Sequence, residues 1–140
     1  MKPKRLDHIV FTVRDLKEAE AVWKRLFGLE LNERHQPESI QASIGLMSVG
    51  GSGSASARIE LAQPTAAEGP VASALEKEGE GMLSISIAVD DIEGAVEELR
   101  EDGGVEISDV VEGPLPNTRV ARFSGDATHG VRMQLIERQS

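Results

Sequence analysis

Four polar side chains interrupt the apolar runs of this 140-residue chain at strand-like positions: His8 in Asp7-His8-Ile9, Glu60 in Ile59-Glu60-Leu61, Ser84 before Ile85-Ser86-Ile87, and Gln134 in Met133-Gln134-Leu135. Imidazole and carboxylate groups can ligate a metal or move a proton near neutral pH, whereas a hydroxyl or an amide hydrogen-bonds without ionising. Alternation along a strand sets Thr12 on the face of His8, Arg58 on that of Glu60 and Arg132 on that of Gln134, while Ser84, Ser86 and Ala88 share a face of their own. Ile59, Leu61, Met133 and Leu135 then turn the other way, into a core. A concave sheet face carrying such groups is costly unless they meet a metal, one another or a ligand. Without a metal, Glu60 needs a counter-charge that Arg58 or Arg132 can supply, and a guanidinium equally suits an anionic ligand such as a carboxylate. His35 and His129 fall in a polar strand end and a loop and read as surface residues.

The elements that must position these groups are written twice. Val13, Asp15, Ala19 and Gly28 return as Val89, Asp91, Ala95 and Gly104, and Leu16, Leu29 and Leu31 return as Ile92, Val105 and Ile107. The comparison sets Ser84 where the first copy has His8. Residues 6–13 alternate, with Ile9, Phe11 and Val13 facing a helix and His8, Val10 and Thr12 facing away. That helix starts at Asp15, an N-cap with Glu18 three residues on, and ends at Gly28. Strands are expected over 29–34, 39–49 and 55–62, with Gly50-Gly51-Ser52-Gly53-Ser54 as a hairpin tip. A short helix starting at Pro70 occupies the linker. The second copy repeats the order: a strand over 82–89, a helix capped by Asp91 and ended by Gly103-Gly104, and strands near 104–111, 118–123 and 130–137. The expected fold is α+β, two tandem β-α-β-β-β modules forming a cupped mixed sheet around a cleft. One domain spans 1–140, with repeats at 5–62 and 82–138 joined by a linker at 63–81.

Composition narrows the function. Acidic residues outnumber basic ones 24 to 15, a formal charge of −9, which disfavours nucleic acid and anionic membrane as partners. The absence of cysteine removes disulfides, thiolate metal sites and a cysteine nucleophile. Aromatic residues make up only 3%, which argues against a base-stacking platform. The basic Met1-Lys2-Pro3-Lys4-Arg5 start is followed by an apolar strand too short for a signal h-region or a membrane span, so a cytoplasmic protein is expected.

Asp7-His8-Ile9 followed by Val13-Arg14-Asp15-Leu16, the Ile59-Glu60-Leu61 strand with Pro64 behind it, the linker from Gly69-Pro70-Val71 to Glu78-Gly79-Glu80-Gly81, Val89-Asp90-Asp91-Ile92, and the segment from Thr128 to Arg138 together resemble the vicinal oxygen chelate (glyoxalase, bleomycin resistance, dioxygenase) superfamily. The resemblance is closest to its methylmalonyl-CoA epimerase branch. It implies paired modules around a cavity, a divalent metal (Co, Zn, Mn or Ni) held by one ligand from each of four strands, and commonly a homodimer. The four metal positions fall on His8, Glu60, Ser84 and Gln134. His8 and Glu60 match the pattern, but the third position is ordinarily histidine and the fourth ordinarily a glutamate that also serves as a base. Ser84 is a weak donor, and Gln134 can offer a metal only a neutral carbonyl. His8, Glu60 and Gln134 are the surviving metal set, Glu38 is the remaining candidate base, and Thr12, Arg58, Ser84, Ser86 and Arg132 are the ligand-binding candidates. Two functions stay open. One is an isomerase or lyase using enolate chemistry on a small oxygenated substrate, with an acyl-CoA thioester implied by the resemblance. The other is a metal-free protein that binds or sequesters a small molecule.

Overall fold

The computed structural model describes residues 1–50 and 57–139. The chain forms two compact units, one of His8–Leu83 and one of Met1–Asp7 with Ser84–Ser140. Strand β1 (Pro3–Thr12) crosses the boundary between them.

In the His8–Leu83 unit, β1 leads into helix α1 (Leu16–Phe27), followed by strands β2 (Glu33–His35), β3 (Ala42–Val49) and β4 (Ala57–Pro64), and helix α2 (Pro70–Glu78). The strand order is β2-β3-β4-β1, with β1 and β4 parallel and the other pairs antiparallel. Alternation in β1 works as expected. Phe11 and Val13 join Met47 and Leu61 beneath Leu16, Ala19 and Trp23 of α1, and the Phe11 and Trp23 rings lie 5.0 Å apart. Asp15 accepts the Glu18 N–H at 3.1 Å, and Gly28 closes α1 at φ 68°, a left-handed conformation that glycine adopts without strain.

The second unit repeats the order with β5 (Gly81–Val89), α3 (Ile92–Gly103), β6 (Val111–Glu112), β7 (Thr118–Arg122) and β8 (Met133–Arg138). Its strands run β5-β8-β7-β6, with β5 and β8 parallel. Val89, Ile92, Ala95, Val96, Ile107, Ala121 and Leu135 form the core under α3. Ala88, Val120 and Ile136 pack on the opposite face. The Asp91 cap accepts the Gly94 N–H at 3.1 Å.

Three expected strands are shorter than their sequence patterns. The strand over 29–34 is reduced to Glu33–His35, because Leu29 and Leu31 pack on the core as irregular chain. Leu31 lies against Gly45, in space that any Cβ at that position would fill. The strand over 39–49 starts only at Ala42, after a 3-10 turn at Glu38–Ile40 that ends with Gln41 at φ 49°. In the strand near 104–111, only a bridge between Ile107 and Phe123 and the two residues of β6 pair. Of the expected hairpin tip, 51–54 lie outside the described residues. No helix among the described residues is long and apolar enough to cross a membrane.

Leu61 is fully buried. Leu61→Ala should cost about 2–5 kcal/mol through lost transfer energy and a residual cavity. Leu26→Ala, at a position 61% exposed, should fall within about 0.5 kcal/mol of the parent protein. Urea denaturation followed by circular dichroism measures both.

Candidate functional site

Register decides which polar groups meet. Parallel pairing of β1 with β4 puts His8 opposite Arg58 and Val10 opposite Glu60. His8 and Glu60 therefore sit one strand step apart on one face, both buried at 3% and 6% exposure, with His8 Nε2 3.8 Å from Glu60 Oε1. That gap is too long for a direct hydrogen bond but short enough for one intervening oxygen to bridge. Arg58 is half-buried beside them in register, and Thr12 is buried at 2% exposure near the end of the same strand.

In the second unit, β5 and β8 put Ser86 opposite Gln134. The Gln134 amide Nε2 donates to Ser86 Oγ at 2.7 Å, and Ser86 is fully buried. Ser84 is half-buried two residues earlier on β5, and Arg132 is exposed just before β8. The second unit thus answers the imidazole and carboxylate of the first with a hydroxyl and an amide in equivalent register. Glu38 lies exposed on the 3-10 turn after β2. His35 pairs with Glu33 at 2.7 Å, and His129 is exposed.

The donor set does not fit the four-ligand metal site that the resemblance implies. His8 and Glu60 are strong donors, but Ser84 offers only a neutral hydroxyl and Gln134 only a neutral carbonyl, its amide nitrogen donating to Ser86. Among the described residues, no three His, Cys, Asp or Glu side chains gather so as to hold a metal ion.

Two features escaped the sequence reading. Asp7, immediately before His8, is completely buried and accepts a forked pair of bonds from Arg138, from Nε at 2.9 Å and Nη2 at 2.8 Å, with Arg5 at 3.4 Å. The sequence signal was a carboxylate in an apolar strand, but its partner lies at the far end of the chain. The second feature is a pair of helix caps supplied by strands. Gln63 Oε1 accepts the Leu16 N–H at 2.7 Å, and Glu137 Oε2 accepts the Ile92 N–H at 2.9 Å.

The cations that could form a positive rim for an anionic ligand are largely engaged. Lys4 pairs with Asp90 at 3.0 Å, Arg5 with Asp7 at 3.4 Å, Arg14 with Glu80 at 3.8 Å and Lys24 with Glu30 at 2.9 Å. The hydrogen bond between Lys24 and Glu30 raises the amine above its ordinary range and lowers the carboxyl below its own.

With two β-α-β-β-β units in matching register and a His–Glu pair on the first, the chain belongs to the glyoxalase/bleomycin resistance protein/dioxygenase superfamily, whose family model matches residues 7–121. Among its relatives, the uncharacterized protein YqjC of Bacillus subtilis is 28% identical over 134 residues, 95% of this chain and 91% of that protein. The mitochondrial methylmalonyl-CoA epimerase of Bos taurus is 32% identical over 98 residues, which is 69% of this chain but only 53% of the epimerase. Among solved structures, a Streptomyces coelicolor methylmalonyl-CoA epimerase in complex with 2-nitronate-propionyl-CoA superposes with a TM-score of 0.88 at 21% identity, covering 99% of this chain and 100% of that one. The fold is accordingly the glyoxalase-like α+β fold.

Asp7→Ala leaves the Arg138 guanidinium without its forked partner and should destabilise the protein by about 3–5 kcal/mol. Arg138→Lys should recover only part of the parent stability, because an ammonium cannot make both bonds. Thermal melts of the two variants test this.

Proposed function

We propose that this chain is an epimerase-like isomerase or lyase that moves one proton beside the carbonyl of a small oxygenated molecule, with a 2-substituted acyl-CoA thioester as the first class to assay. The buried His8–Glu60 pair carries the reading. A carboxylate and an imidazole 3.8 Å apart and shielded from water can share one proton-transfer task. In this reading Glu60 takes the proton from the carbon beside the carbonyl. The C–H electron pair flows toward the carbonyl oxygen, and His8 Nε2 donates a hydrogen bond to the oxyanion that develops there. Return of the proton from Glu60 to the same face restores the substrate, and its return after the planar enolate has turned over gives the isomer. Arg58, opposite His8 in the strand register, suits a carboxylate on the substrate.

Glu60 is buried beside His8, whereas Glu38 is exposed on its turn, so Glu60 is the carboxylate that can meet a substrate shielded from water. Gln134 can neither accept nor return a proton at useful pH, so the chemistry is that of one base rather than two. Only His8 and Glu60 are strong metal donors, so the proton chemistry is assigned to these side chains themselves. A homodimer, common in the superfamily, forms part of the proposal. The hydrogen bond between Gln134 and Ser86 also favours a second reading, a binding protein that holds the same class of molecule without turning it over.

Incubation with methylmalonyl-CoA in D2O, followed by proton NMR at C2, separates the two. Protein-dependent deuterium uptake should fall about 10²–10⁴-fold in Glu60→Gln, the range of a lost general base. Binding without exchange supports the second reading, and absence of both overturns the thioester assignment. Ser84→His with Gln134→Glu should tighten Co²⁺ binding by more than about 100-fold, roughly 2.8 kcal/mol, in calorimetric titration.

A further inference from the structure

The row of side chains that starts at His8 does not end at Arg58. Antiparallel pairing of β3 with β4 puts Ser48 opposite Arg58, so His8, Arg58 and Ser48 stand in line across three strands. Phe11, Met47 and Leu61 pack beneath α1, and alternation therefore turns this row, with Glu60 two residues further along β4, to the other face of the sheet. The neighbouring row of Val10, Glu60 and Leu46 is buried throughout. In the first row exposure rises outward instead, from buried His8 through half-buried Arg58 and Ser48 to exposed Asn32 beside Ser48. This row is the more open end of the face that carries Glu60.

Asn32 prepares Ser48 for this position. The Asn32 amide Nδ2 donates to Ser48 Oγ at 3.0 Å, and the Asn32 backbone N–H donates to the Leu46 carbonyl at 2.9 Å, which holds the amide against the end of β3. A hydroxyl that accepts one bond still has its own proton to give. Side chains directly opposite on adjacent strands have Cβ atoms about 4.5–5.5 Å apart. Arg58, which carries donors only, and Ser48, which keeps one, therefore converge on a group that accepts. A carboxylate takes a charge-assisted bond from each. A neutral acyl end at the same place has no charge to offer the guanidinium and leaves its donors poorly paired.

We propose that Ser48, held by Asn32, is a specificity-determining residue that selects a free carboxylate on the acyl group of the substrate. The inference rests on the reading that the molecule turned over is an acyl thioester whose carbonyl oxygen meets His8. One carboxylate oxygen accepts from Arg58 and the other from Ser48 Oγ. The carbonyl then lies toward β1 and the carboxylate toward β3, with the acidic carbon between them beside Glu60 of β4. The order of the row thus separates the half-thioester of a dicarboxylic acid from a neutral acyl thioester, and it does so at the acyl end rather than at the carrier.

The probes are the N-acetylcysteamine thioester of methylmalonic acid and its neutral methyl ester, titrated calorimetrically against the full chain, so that the readout needs no turnover. The parent protein should bind the acid at least about tenfold tighter than the ester. Ser48→Ala should cut that ratio at least about fivefold by weakening the acid alone, and Ser48→Thr, which keeps the hydroxyl, should retain it. Asn32→Ala should lower the ratio about twofold. Because each ratio is taken within one variant, a general loosening of β2 or β3 weakens both probes and leaves it unmoved. An unchanged ratio in Ser48→Ala that is nonetheless lost in Arg58→Gln overturns the role of Ser48 and leaves the carboxylate with Arg58. Equal binding of acid and ester by the parent protein, or binding of neither, overturns the proposal as well. Deuterium uptake at C2, measured on the same samples, then decides separately whether the proton chemistry assigned to Glu60 stands.

Discussion

Parallel register within the two crossover units is the constraint from which the rest of the structure follows. Val10 stands opposite Glu60 on β1 and β4, and Ser86 opposite Gln134 on β5 and β8. Because side chains alternate, a slip of one residue would turn Glu60 and Gln134 into the layers that hold Leu61 and Leu135, exchanging buried leucines for a carboxylate and an amide. Each register is also locked at its end. The Gln63 side chain accepts the first N–H of α1, and the Glu137 side chain accepts the first N–H of α3. A strand that shifted would lose that bond and leave a helix terminus unsatisfied. Strand alignment, helix start and the position of each polar group are thus fixed together.

The two units put this shared register to different chemical use. The first keeps an imidazole and a carboxylate buried within 3.8 Å, a combination that can accept and release a proton. The second sets a half-buried amide donating to a buried hydroxyl, a pairing of two groups that do not ionise. A glutamate at 134 would bring a charge beside a serine that is 0% exposed and would need a cation to offset its desolvation. Glutamine removes that requirement. The same substitution that makes the second unit easy to bury takes away its capacity for base chemistry, so whatever proton transfer the fold supports rests on the first unit.

Much of this was legible from local signals. Asp15, Gly28, Asp91 and the Gly103-Gly104 pair marked the ends of α1 and α3 because caps are written within one turn of the residues they serve. The faces of β1 and β4 followed from alternation alone. Leu29 and Leu31 misled because alternating leucines fit a strand and a packed irregular segment equally well. Only the space above Gly45, a partner distant in sequence, decides between them. Glu38 is a candidate base only through the resemblance, just ahead of the strand expected from 39, and Pro37 and the left-handed Gln41 bracket a 3-10 turn on which it is exposed. The Asp7–Arg138 pair was invisible for a related reason: an ion pair between the two ends of a chain leaves no periodic trace.

Charge placement bears on which part of an acyl-CoA ligand this chain could hold. Lys4, Arg14 and Lys24 already face Asp90, Glu80 and Glu30 across exposed ion pairs. Such pairs are worth about 0–1 kcal/mol, so an anion could separate any one of them at small cost. Separation would nevertheless leave a carboxylate beside the bound anion, on a chain that carries a net charge of −9. A nucleotide handle therefore gains little here. In the proposed reaction, affinity has to come from the acyl end, where Arg58 stands opposite His8 and the oxygen functions of the substrate meet groups shielded from water. Buried contacts are screened far less by salt than exposed ones, so recognition of this kind depends on the shape and oxygen pattern of a small acyl group more than on the charge of its carrier.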